Sequence, residues 1–348
     1  MFGVRAGVRH QFTVSSPLFR ALVASAAIAA QMTLAACSGG PPVSSGRHMQ
    51  PLSDQMLATL KAKHMDKESP ILIRVFKEEA ELEVWKQDDS GRFALLRTYP
   101  ICRWSGELGP KLKTGDRQAP EGFYTITPGL MNPDSSQYLA INTGFPNAYD
   151  RANGRTGAFL MIHGGCSSAG CYAMTDEQIA EIYALAREAF FGGQKSFQLQ
   201  AYPFRMTALN MARHRDSPHM PFWKMIKQGS DHFEVTHLEP KVNVCERSYV
   251  FDAESADGFN PAGRCPFYRV REDVVLAVRE KQRRDDLETV ELINRGTPTV
   301  PATTGADGGM NATFLEAVRS NGDRSAGIRT ASGTIPAHVN PPAGGGDD

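Results

Sequence analysis

The segment from Met161 to Met174 constrains this chain more than any other: Met-Ile-His-Gly-Gly-Cys-Ser-Ser-Ala-Gly-Cys-Tyr-Ala-Met. Its glycines, Gly164, Gly165 and Gly170, permit tight backbone turns and leave N–H groups open. Thr175-Asp176-Glu177-Gln178 follows at once and reads as a capping box. Ile179, Ile182, Tyr183, Ala186 and Phe190 recur at helical spacing, which predicts a helix over 176–191. The fold must therefore seat a tight loop against a helix N-terminus. A neutral thiol is a poor nucleophile and needs a base or a positive neighbour. His163, eight positions before Cys171, is that base if the loop folds back. The N–H groups near Gly170 and Cys171 are then candidate oxyanion donors. Cys166 shares the loop and competes for the role. Cys171 is preferred because it closes Ser168-Ala169-Gly170-Cys171 and directly precedes the helix signal. A small cysteine in a glycine-rich turn also has a purely structural reading.

Strand signals precede the loop. Ile71–Phe76 is apolar, and Glu81–Lys86 alternates polar with apolar residues. Asp88-Asp89-Ser90-Gly91 is a turn by composition. Phe93–Ile101, Gly122–Thr127 and Phe197–Tyr202 read as further strands. This cadence predicts a mixed, mainly β domain with one helix after Cys171. Tyr149, Arg151 and Arg155 lie in a polar and aromatic stretch suited to a site wall. A guanidinium there pairs with a carboxylate in a fork, although a solvated loop explains each residue equally well.

The string His163-Gly164 through Ser168-Ala169-Gly170-Cys171-Tyr172-Ala173-Met174 resembles the YkuD-type L,D-transpeptidases over roughly residues 70 to 205. It is most similar to their YafK-type branch. The resemblance implies a β-sandwich catalytic domain. It also implies Cys171 as nucleophile, His163 as proton donor and acceptor, Gly170 as an oxyanion backbone group, and Ser168, Arg151, Arg155 and Tyr149 as substrate contacts. Gly115–Tyr124 resembles a family segment that packs beside the site. Ala169 departs from the pattern, because the main family usually carries a second histidine there. The implied substrate is the peptide stem of peptidoglycan, attacked through a thioester, with no cofactor and no metal. The acyl-enzyme is common to two outcomes. Water gives hydrolysis, including release of wall-bound Braun-type lipoprotein, and an amine gives cross-links or lipoprotein attachment. A third reading, a peptidoglycan-binding lipoprotein without turnover, requires Cys171 to be inert or bridged to Cys166 or Cys102.

Composition sets the remaining bounds. Lys plus Arg equals Asp plus Glu, 38 of each in 348 residues, so no basic excess points to nucleic acid. The nine histidines are scattered and the six cysteines form no zinc-type pair. Residues 1–36 read as a signal peptide of lipoprotein type, ending Leu34-Ala35-Ala36-Cys37, with Cys37 as the lipidated residue. Ordinary cleavage after Ala36 is the alternative. The expected location is the periplasm, on an outer-membrane lipid anchor. Residues 37–64 read as a tether and short helix, 65–205 as the catalytic domain, 206–295 as an α-rich extension and 296–348 as a disordered tail. Within the extension, 206–215 and 221–228 read as helices, 233–238 as a strand and 272–293 as a charged, solvent-facing helix. Cys245 and Cys265 are a plausible disulfide or two buried thiols. A short helix at 312–319 is the one exception foreseen in the tail.

Overall fold

The computed structural model describes residues 46–300, 308–321 and 326–341. Residues 1–36, read above as a signal peptide, and Cys37 lie outside the described residues.

A first helix, α1 (Asp54–Ala62), is capped by Ser53, whose hydroxyl accepts from the Met56 N–H at 3.1 Å. Strands β1 (Ile71–Phe76), β2 (Glu81–Gln87) and β3 (Phe93–Pro100) follow as an antiparallel meander. The Asp88–Gly91 turn closes with the Gly91 N–H donating to Asp88 O at 2.9 Å. With β5 (Gly122–Ile126) and β10 (Phe197–Tyr202) they form a five-stranded sheet ordered β3-β2-β1-β10-β5. The β1–β10 pair is parallel. Every residue of β1 and β10 is buried, as expected of the paired strands at the middle of a sheet, and among them Arg74, Gln198 and Gln200 are buried polar side chains.

The second sheet is built from fragments. Strands β4 (Arg103–Trp104), β6 (Met131–Asn132), β7 (Ala140–Asn142), β8 (Met161–His163) and β9 (Tyr172–Ala173) are two or three residues long and order as β4-β9-β8-β7-β6. A short helix, α2 (Ala148–Ala152), lies between β7 and β8. Helix α3 (Asp176–Phe191) packs its apolar side into the core. Its capping box is complete, with the Gln178 N–H donating to Thr175 Oγ1 at 3.2 Å and the Thr175 N–H to Gln178 Oε1 at 3.0 Å. A cap of this kind contributes about 1 kcal/mol.

Beyond β10 come α4 (Ala208–Arg213), α5 (Met220–Thr236), the hairpin of β11 (Val242–Cys245) and β12 (Ser248–Phe251), and α6 (Glu272–Asn294). Residues 233–238, read from sequence as a strand, belong to the end of α5 and the turn after it. Phe233 packs edge-on against Trp85 with ring centroids 5.1 Å apart. Ion pairs fasten α6 to α5: Lys227–Asp285 at 2.5 Å, Lys281–Asp231 at 3.2 Å and Lys281–Glu234 at 3.2 Å. Cys245 and Cys265 are bridged.

The tail differs from its expectation in part. Residues 312–320 form α7 (Ala312–Ser320), and β13 (Ile328–Thr330) pairs with β14 (Gly333–Ile335). Met310, Phe314, Val318, Ile328, Ile335 and Val339 gather around Cys102 and Cys166 in an apolar cluster of their own. Gly309 bridges to Trp104 at the end of the second sheet. Six apolar residues in so small a segment make too little surface to collapse alone. They order because a ready apolar patch receives them.

Candidate active site

Parallel pairing of β8 with β9 sets Ile162 against Tyr172 and His163 against Ala173. Cys171, one residue before β9, therefore comes alongside Met161, and His163 lies diagonally across the pair. Diagonal neighbours of that kind stand about 7–8 Å apart at the backbone, a span that a long side chain bridges. The Cys171 sulfur accepts from the Met161 N–H at 3.4 Å and directs its own hydrogen to Phe159 O at 3.7 Å. Phe159 is held at φ 56°, a left-handed conformation that strains an aromatic residue. Its ring is 76% exposed beside the thiol.

His163 is buried, with Nδ1 2.6 Å from Gly164 O. A carbonyl only accepts, so Nδ1 carries the proton and Nε2 keeps its lone pair. Burial pushes the His163 pKa down, against a smaller opposing effect of the Gly164 carbonyl. Burial pushes the Cys171 thiol up, opposed by the Met161 N–H and by the charge of Lys111. Both groups therefore rest neutral near pH 7, a thiol and an unprotonated imidazole nitrogen across the β8–β9 pair. Such a pair can generate a thiolate by one proton transfer.

Cys171 is a free thiol, while Cys102 and Cys166 form a disulfide. That bridge removes Cys166 as a rival and leaves neither Cys102 nor Cys166 to pair with Cys171. It ties the loop to the start of β4, and the Cys166 N–H donates to Met174 O at 3.1 Å.

Ser168 staples the loop. Its hydroxyl accepts from the Cys171 N–H at 3.0 Å and the Gly170 N–H at 3.3 Å, and donates to Cys171 O at 2.7 Å. This corrects the expectation of open oxyanion donors at Gly170 and Cys171, because both N–H groups are engaged by Ser168. Its role as a substrate contact likewise gives way to an internal one. Ser105 Oγ, unforeseen from sequence, lies 2.9 Å from Ser168 Oγ. The segment between β4 and β5 forms the facing wall. The Tyr172 hydroxyl donates to Pro120 O at 2.6 Å, and a Cβ on Gly170 would stand 3.8 Å from Gln118 O. The Gly115–Tyr124 segment thus packs where its family resemblance implies.

Tyr149 and Arg155 gather elsewhere. Arg155 pairs with buried Asp150 at 2.9 Å, and its guanidinium lies 4.7 Å from the Tyr149 ring and 4.8 Å from the Phe222 ring. Tyr149 itself stacks on Tyr249, centroids 4.4 Å apart. Both side chains are committed to the protein interior, which corrects their expected place on a substrate-facing wall. Arg151 remains exposed, donating to Pro146 O. Among the described residues, no group of three or more His, Cys, Asp or Glu is placed to hold a metal ion.

Comparison with known proteins identifies the family. A family model described as the L,D-transpeptidase catalytic domain, YkuD, matches residues 70–191. YafK of Escherichia coli K12, whose name places it among the L,D-transpeptidases, is 49% identical over 182 residues, covering 52% of this chain and 74% of YafK. The same values hold for YafK of E. coli O157:H7. Among solved structures, the helical cell shape determining protein Pgp2 of Campylobacter jejuni is 21% identical at a TM-score of 0.31, over 45% of this chain and 57% of Pgp2. Bd1075 of Bdellovibrio bacteriovorus is 14% identical at a TM-score of 0.28, over 50% of this chain and 76% of Bd1075. The chain belongs to the YkuD-domain L,D-transpeptidase family, in the branch represented by YafK.

Proposed function

We propose that this protein is a periplasmic cysteine enzyme that cuts peptide bonds in peptidoglycan through a thioester on Cys171. Family membership supplies the substrate class, the peptide stems of the wall. The observation that carries the reading is a free Cys171 thiol set by the β8–β9 register diagonally across from a His163 ring whose Nδ1 is tied to Gly164 O. The thiol proton passes to His163 Nε2, and the sulfur adds to the stem carbonyl carbon. The tetrahedral adduct collapses as the C–N bond breaks, and the imidazolium gives its proton to the departing amine. Water then adds to the thioester, His163 takes its proton, and the C–S bond breaks to restore the thiol. In the resting arrangement the sulfur faces Phe159 O, so the side chain turns toward His163 on the way to reaction.

Hydrolysis is preferred to transfer because Ala169 presents only a methyl group, exposed beside the thiol, where the main family usually has a histidine. The missing ring leaves room for water and removes a group able to orient an acceptor amine. Braun-type lipoprotein released from the wall is the proposed product, and an outer-membrane anchor at Cys37 the proposed location. The test is incubation with purified sacculi bearing bound lipoprotein, followed by mass spectrometry. Released lipoprotein or stem fragments support hydrolysis. New 3–3 cross-links without release establish the transpeptidase instead.

A further inference from the structure

The loop beside Cys171 contains no charged side chain between His163 and Asp176. A thiolate formed there needs compensation from elsewhere, because burial penalises the anion. The wall between β4 and β5 holds a cation at the right place. Lys111 is buried, with only 4% of its side chain exposed, and donates to Lys113 O at 3.0 Å and to Asp116. Asp116 is itself locked by the N–H groups of Leu112 and Lys113, each at 2.9 Å, and of Gln118 at 3.0 Å.

This wall is laced to the strand that grips the sulfur. The Thr156 N–H donates to Leu112 O at 3.1 Å, and the Thr114 N–H to Thr156 Oγ1 at 3.1 Å. The Lys111 stem runs so close under Gly157 that a Cβ there would fall 2.6 Å from Lys111 Cε and 3.2 Å from the Phe145 ring. Gly157, at φ 147°, is a residue without a Cβ where a close approach demands one. Two residues later, Phe159 O receives the Cys171 thiol.

We propose that Lys111 is the positioning residue whose buried ammonium supports the Cys171 thiolate, supplying the positive charge that the active-site loop lacks. The Met161 N–H and Phe159 O touch the sulfur, and the titratable groups that act on it or on its neighbour are Lys111 on the facing wall and Tyr172 on β9, while His163 lies diagonally across β8–β9. Lys111 is the cation whose field stabilises the ionised sulfur. Asp116 holds the ammonium in place and sets how much of its charge the sulfur feels. A guanidinium or ammonium exposed to water would be screened, whereas a cation sealed from solvent keeps its effect at short range.

The inference rests on Cys171 as the nucleophile, and its test does not depend on peptidoglycan. Cys171 is the free thiol among the described residues, so in a Cys37→Ser background iodoacetamide reports its ionisation directly. The rate of alkylation is followed against pH for the folded wild type and for Lys111→Gln, Lys111→Met, Lys111→Arg and Asp116→Asn. Lys111→Gln keeps a donor for Lys113 O and Asp116 without the charge. It should move the profile about one pH unit upward, an approximately tenfold slowing at neutral pH, and Lys111→Met should match it. Lys111→Arg should restore most of the rate, and Asp116→Asn should move the profile downward. Folded Lys111→Gln with an unchanged profile overturns the proposal. If Lys111→Gln fails to fold, an unmoved or upward-shifted profile in Asp116→Asn overturns it equally. Wild-type protein that follows this pattern but leaves sacculi intact refutes the proposed substrate and not the role of Lys111.

Discussion

The two sheets divide the labour of the molecule unequally. The first has strands of five to eight residues, and its middle pair is wholly buried. It holds itself together by area: a fully buried Leu or Ile contributes about 1.5–3 kcal/mol, and its strands carry many. The second sheet has strands of two or three residues, too short to be stable by pairing alone, yet it carries His163 and brings Cys171 to its side. Its geometry is held from outside, by the α3 cap, the Cys102–Cys166 bridge, the β4–β5 wall and the docked segment after residue 308. A site built on such fragments gains freedom to shape its loop and depends on its surroundings for precision.

The sharpest way to separate the two is chemical. Cys171→Ala should abolish release from sacculi and leave the thermal transition unchanged, since it removes one sulfur from a partly exposed position. Retained turnover would break the assignment. His163→Gln should lower the acylation rate by about 10²–10⁴-fold, read by single-turnover kinetics. The same imidazole sets a pH signature. His163 must be neutral to accept the thiol proton, and burial lowers its pKa, so the acid limb of turnover should lie below the ordinary imidazole value. A limb above that value would contradict the buried ring whose pKa burial lowers.

Stability should divide along the same line. Ile73→Ala, at the centre of the first sheet, should cost about 2–5 kcal/mol and lower protection from hydrogen exchange throughout. Phe314→Ala removes the centre of the small cluster over Cys102–Cys166 and should cost about 3–5 kcal/mol if that cluster is part of the cooperative unit. Loss of protection confined to the second sheet would show instead that it opens as a separate unit. Thr175→Ala, the smallest change, should cost about 1 kcal/mol through the α3 cap and slow turnover only slightly.

The first sheet was legible from alternation and length, and α3 from its capping box, with both ends placed to the residue. The second sheet was not, because two-residue strands are shorter than the period by which strands are recognised. Its loop was legible as a chemical motif all the same. Ser105 and Lys111 escaped notice because they lie about 60 residues before the loop, without a local signature. Open oxyanion donors were expected because glycines leave N–H groups free, and the Ser168 hydroxyl that takes them up is a tertiary detail of the turn. Arg155 and Tyr149 were read as a site wall from their residue types, whereas Asp150 and the rings of Phe222 and Tyr249 bury them. The supposed strand at 233–238 arose from a chance alternation at a helix end, where Phe233 turns inward to Trp85.

The segment that docks on the disulfide also has a place in time. A ribosome completes the first sheet at Tyr202, but Met310 and Phe314, which cover Cys102 and Cys166, emerge more than a hundred residues later. The growing chain therefore holds every residue of the His163–Cys171 loop long before it holds the cover for that loop.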